Sequence, residues 1–138
     1  MVKYSLVGYD GSDAARRAFQ FAVDLARCGG GRVRVVSVLQ VTEAGADACA
    51  LLMADSGTER LQELLGELAA IVPDAAQLVD LEIVHGSPGD VLLSQVAQYN
   101  IDHLVIGHTA RGALARWLLG SVSSNLLARA QVPVTVVP

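Results

Sequence analysis

Short apolar runs alternate along this chain with stretches whose apolar residues recur every three or four positions. The first pattern predicts buried strands and the second amphipathic helices. Val2 to Gly8 (VKYSLVG) reads as a strand that ends in the turn Gly8-Tyr9-Asp10-Gly11-Ser12. Ser12 or Asp13 then caps a helix whose face is Ala15, Ala18, Phe19, Ala22, Leu25 and Ala26. Gly29-Gly30-Gly31 stops it. Arg32 to Val41 is β-branched and reads as a second strand.

The stretch from Glu43 to Gly57 fits either a short helix or a loop. From Thr58 the helix is plain: Leu61, Leu64, Leu65, Leu68 and Val72 share a face, and Pro73 closes it. Leu78 to Val84 predicts a third strand. Pro88 suits the first turn of a helix lined by Val91, Leu92, Val96 and Tyr99. Asp102 to Gly107 is a fourth strand, Ser121 to Ala130 a last helix, and Val132 to Val137 a last strand. Strict β-α alternation with apolar strands predicts a parallel sheet covered by helices on both faces, a three-layer α/β/α sandwich.

Composition narrows the class. The 138 residues suit one domain, here taken as 1–138, without a linker or repeat. Hydrophobic residues make up 52% of the chain and aromatics 4%, so its core is built of Ala, Val and Leu. A net charge of −4 provides no field to gather nucleic acid or an anionic membrane surface. Charged residues at Lys3, Asp10, Asp13, Arg16 and Arg17 break up any signal-like apolar run, and no membrane span is expected. Two cysteines make no disulfide framework, so a cytoplasmic setting is expected.

Candidate chemistry sits after the first and fourth strands, because ligands of such sheets bind beyond the carboxyl ends of strands. After the fourth strand the chain reads GHTARGALARWLLGSVSS, residues 107–124. Gly120 lets an anion approach the backbone, and the amides of Ser121, Val122 and Ser123 open a helix that favours phosphate. The same serines serve equally well as ordinary helix caps. No P-loop and no Gly-x-Gly-x-x-Gly follows the first strand. His85, His103 and His108 have no zinc-ligand spacing, and no catalytic constellation is legible, so the chain is not expected to be an enzyme.

Two segments carry a resemblance. VGYDGSDAARRAFQFAVDLA near the N-terminus and IDHLVIGHTARGALARWLLGSVSSNLLARAQVPVTVVP at the C-terminus resemble the opening and closing signatures of the universal stress protein family. The resemblance implies a five-stranded sheet in the order 3-2-1-4-5, of the adenine nucleotide alpha hydrolase-like kind. It also implies ATP and a homodimer formed through the last strand; Mg²⁺ or Mn²⁺ is expected with ATP, since polyphosphate usually arrives with a divalent ion. ATP-binding members carry a glycine, two residues, a glycine, nine residues, then Gly-Ser or Gly-Thr. Gly107 and Gly120-Ser121 match that pattern, but Ala110 stands in place of the second glycine. If that position needs positive φ, alanine costs on the order of 1 kcal/mol. If its methyl meets a phosphate, binding is lost. By the same resemblance Asp10 and Val38 face the adenine and ribose, while Gly107, Ala110, Gly120, Ser121, Val122 and Ser123 hold the phosphates. The implied function is an adenine-nucleotide-binding stress or regulatory module. The alternative is a nucleotide-independent interaction protein with a degenerate pocket.

Overall fold

The structure, a computed structural model, describes residues 2–39, 46–107 and 129–138. Its strands are β1 (Tyr4–Gly8), β2 (Arg32–Leu39), β3 (Val79–His85), β4 (His103–Gly107) and β5 (Val134–Val137). They form one parallel sheet in the order β3-β2-β1-β4-β5, the arrangement expected. The described α-helices are α1 (Asp13–Gly29), α2 (Ala46–Ile71) and α3 (Pro88–Gln98).

The period-two alternation of the strands divides the core into two layers. Val7, Val33, Val35 and Val105 bury on one face with the Ala15, Ala18, Ala22 and Ala26 stripe of α1 and with Leu64, Leu68 and Val72. Leu6, Val36, Leu104 and Ile106 bury on the other with Leu92 of α3. Helix α1 starts where its sequence says: the Ser12 hydroxyl accepts from Ala15 N–H at 3.1 Å, and Gly30 ends the helix at φ 70°.

Three details depart from the sequence reading. The ambiguous segment is helical from Ala46 and continuous with the helix expected from Thr58; its residues 43–45 lie outside the described residues. Leu65, assigned to the core stripe of that helix, is 50% exposed. It sits at the rim of a small apolar groove of about 100 Å³ with Phe19, Leu68, Val72 and Val79, because the stripe is wider than the surface that α1 and β3 offer it. Strand β5 begins at Val134, not Val132: Pro133 has no N–H to pair, although its carbonyl accepts from Leu104 N–H at 2.9 Å. Of the expected last helix, Arg129 is helical, and residues up to 128 lie outside the described residues.

The two outer strands differ in character. On β3, Asp80 and Glu82 point to the α3 face among apolar residues, whereas β5 is Val-Thr-Val-Val without a charge.

Candidate functional site

Strand order reverses between β1 and β4. The connections through α1 and α2 lead outward to β2 and β3, and the connection through α3 returns to β4 on the other side of β1. In parallel sheets a ligand at the switch point sits beyond the carboxyl ends of the strands, here those of β2, β1 and β4. Register puts three of the expected residues there. Gly8 pairs with Val36 on one side and Ile106 on the other. Asp10 and Val38 are each two residues further along their chains, and Gly107 is one.

Asp10 is held by its own turn. Its Oδ1 accepts from Ser12 N–H at 3.0 Å, an Asx-turn that sets up the cap of α1. Gly11 takes φ +81° at the apex, and a Cβ there would meet nothing within 4 Å among the described residues. The second carboxylate oxygen, Oδ2, is buried and has no hydrogen-bond partner among the described residues. An acceptor in that state marks a place where a donor belongs.

Tyr9 fixes the turn from below. Its ring is buried, its N–H donates to the Val36 carbonyl at 3.0 Å, and its hydroxyl donates to Glu67 of α2 at 3.0 Å. Burial pushes the phenol above its ordinary range and Glu67 adds to this, while Arg16 opposes it. Sequence reading passed over Tyr9 as a turn residue. The signal it missed was the strand parity of Ser5, Val7 and Tyr9, which puts Tyr9 on the α1 face.

Gly107 has a packing role. A Cβ built there would sit 2.5 Å from the Ala14 carbonyl carbon, 2.6 Å from Ala15 N and 2.7 Å from Ala14 O. The glycine therefore lets the N-terminal turn of α1 lie directly on the end of β4. Val38 is partly buried against the α3-side cluster and pairs with Val84. Ala110, Gly120, Ser121, Val122 and Ser123 lie outside the described residues, as does His108. His85 ends β3, as expected, and His103 is buried on β4.

A second polar constellation was not foreseen. Arg34, within the β-branched run of β2, is buried on the α3 face. Its Nε donates to Gln95 Oε1 at 2.6 Å, it pairs with Glu82, and its guanidinium lies 3.6 Å from the centroid of the Tyr99 ring. Alongside it, Tyr4 donates to Asp80 at 2.9 Å and Arg32 pairs with the same carboxylate at 2.9 Å. This set ties β1, β2, β3 and α3 together beneath the rim that carries Val38.

Comparison with known proteins gives a consistent result. The family model described as the universal stress protein family matches residues 1–138. A universal stress protein of Mycobacterium tuberculosis is 31% identical over 98% of this chain and 95% of its own. Among solved structures, a universal stress protein, UspA, from Lactobacillus plantarum superposes with a TM-score of 0.78 at 24% identity, covering 99% of this chain and 98% of its own. A universal stress protein in complex with cAMP gives 0.70 at 24% identity, over 99% and 97%. One from Archaeoglobus fulgidus in complex with dAMP gives 0.66 at 22%, over 100% and 98%. At these identities the structural likenesses establish the fold.

Proposed function

The chain belongs to the universal stress protein family, and on that premise we propose that it is a regulatory module binding an adenine nucleotide in the crevice beyond β2, β1 and β4. The observation that carries the reading is Asp10 Oδ2, buried without a donor among the described residues at the point where strand order reverses. Leaving such an acceptor unpaired costs about 1–3 kcal/mol. Ribose hydroxyls and the adenine amino group are donors of the kind it lacks. That relatives of this fold are solved with cAMP and dAMP supports the ligand class. In this reading Asp10 and Val38 hold the nucleoside. Gly107, Ala110, Gly120, Ser121, Val122 and Ser123 form the phosphate side, and ATP arrives with Mg²⁺ or Mn²⁺. The role is binding and not turnover, in the cytoplasm. No helix among the described residues is long and apolar enough to cross a membrane.

Asp10→Asn tests the site. The amide keeps the oxygen that accepts from Ser12 but turns the orphan acceptor into a donor. ATP or AMP affinity is expected to fall about 10–100-fold, the range for a hydrogen bond to a charged group, while the melting temperature holds or rises. Calorimetric titration of both proteins reads it. Equal affinities remove Asp10 from the site. No wild-type binding near millimolar nucleotide favours the second reading, a nucleotide-independent interaction protein, to which Ala110 already points.

The reading includes a homodimer through β5. That strand is uncharged, Val136 is 40% exposed, and Pro133 and Pro138 confine pairing to the residues between them. A two-fold partner adding its own β5 antiparallel satisfies both edges. Lysine at both Val134 and Val136 is expected to give monomers in sedimentation equilibrium. A wild type that is already monomeric at tens of micromolar ends the dimer proposal.

A further inference from the structure

On the α1 face of the sheet a histidine stands where parity calls for an apolar residue. His103, the first residue of β4, is 4% exposed. Its Nδ1 lies 3.2 Å from the Ser5 hydroxyl on β1, and its Nε2 lies 2.6 Å from the Thr135 hydroxyl on β5. The ring thus bridges the central strand and the outer strand through side chains, across β4. Besides the packing of Val134 and Val137 against the two core layers, few polar ties hold β5 among the described residues. It is four residues long, its ladder runs to β4, and the remaining side-chain tie among the described residues is Arg17 Nε donating to the Pro138 carbonyl at 2.7 Å.

We propose that His103 is a proton-operated latch on β5, closed when the ring is neutral and loosened when it is protonated. A neutral imidazole has one N–H and one bare nitrogen, so one hydroxyl accepts from it and the other donates to it. Protonation makes both nitrogens donors. The hydroxyl that had donated must then turn its proton away from the ring, and the new charge is buried. Among the described residues no carboxylate is hydrogen-bonded to the ring. From β1 the neighbour is Ser5, and from β5 it is Thr135. The buried stripe of α1 across this face is Ala15, Ala18, Ala22 and Ala26, while its ionisable Asp13, Arg16, Arg17, Asp24, Arg27 and Cys28 are on exposed positions. The adjacent Asp102 carboxylate accepts instead from Lys3 N–H at 2.8 Å and Tyr4 N–H at 3.0 Å.

Burial holds the ring below the ordinary histidine range, with Asp102 opposing. The sign follows from proton uptake. Below the unfolded-state value, about 6.5, the open state binds a proton that the closed state resists. The closed state is therefore favoured at neutral pH and loses its advantage as pH falls from that value toward the depressed one. The inference is independent of what the crevice binds.

Amide hydrogen exchange on the full chain, at pH 7.5 and 5.0 and corrected for intrinsic rates, tests it. The protection factors of residues 134–137 are expected to fall severalfold at the lower pH, in the direction that proton uptake by the open state requires. Those of residues 5–8 and 33–36 should change far less, and His103→Gln, which keeps a hydrogen-bonding side chain but cannot charge, should flatten the β5 profile. In the wild type alone, NMR titration of the ring should give a midpoint at the low-pH end of the range over which β5 protection is lost, so the test survives a variant that fails to fold. An equal loss in all three strands, a loss unchanged in His103→Gln, or a ring that titrates while β5 stays protected would each overturn the latch.

Discussion

Gly107→Val is expected to lower the melting temperature by about 10 °C or to prevent folding. The atoms that a Cβ would strike are the Ala14 carbonyl and the Ala15 nitrogen, backbone groups at 2.5–2.7 Å that have no rotamer to escape into. Either α1 lifts or the end of β4 bows. Lifting α1 strips contacts along its whole alanine stripe, since Ala15, Ala18, Ala22 and Ala26 sit against Val7 and Val105 because they are small. Overpacking of this kind costs about 3 kcal/mol or more, which for a domain of this size corresponds to roughly 10 °C. Gly107→Ala should show about half the effect. Scanning calorimetry of the three proteins checks it, and a valine variant melting within 2 °C of the parent would mean that the contact is not as close as described. Gly11→Ala provides the contrast: φ is strained there but a Cβ meets none of the described residues, so the cost is about 1 kcal/mol.

Arg34→Met is expected to cost about 3 kcal/mol in urea denaturation, with most of that loss restored by adding Glu82→Leu. The single change leaves Glu82 and Gln95 without their partner and removes the cation from the face of Tyr99. Breaking a fully buried pair costs about 3–5 kcal/mol. Here the Glu82 side chain keeps 39% of its exposure, so water screens part of that and about 2 kcal/mol is the fairer share. The orphaned Gln95, itself buried, adds about 1 kcal/mol. The double variant removes both charges, and the cavity is refilled with apolar volume. A single variant within 0.5 kcal/mol of the parent would show that the network holds nothing together.

What the sequence disclosed and what it hid divide along physical lines. Strand and helix identities were legible because period two and period three-to-four are local properties. The cap at Ser12, the stop at Gly30 and the start at Pro88 were legible for the same reason. The uncertain stretch before Thr58 was hidden because its glycines argued against the helix that its alanines and leucines favoured. Asp10 was legible as a site residue through family resemblance, but its unpaired oxygen is a property of the folded turn. Arg34 and His103 were hidden for another reason. Each lies in a mainly apolar strand, and its partners are 48 and 61 residues away for Arg34 and 98 and 32 for His103. Register, which no local pattern specifies, brings them together. Gly107 was read as part of a phosphate motif, whereas its neighbour in space is helix α1.

The unequal rims of the sheet limit how far copies of this chain can add to one another. If both were bare, β5 of one copy could lie against β3 of the next, a head-to-tail contact that nothing closes, and the product would be a filament. Asp80 and Glu82 oppose that growth. A valine-rich strand laid along β3 would crowd two carboxylates already engaged with Arg32, Tyr4 and Arg34, and would give them nothing in return. A copy paired through β5 would be left with β3 as its other outer strand, whose carboxylates a second β5 does not match.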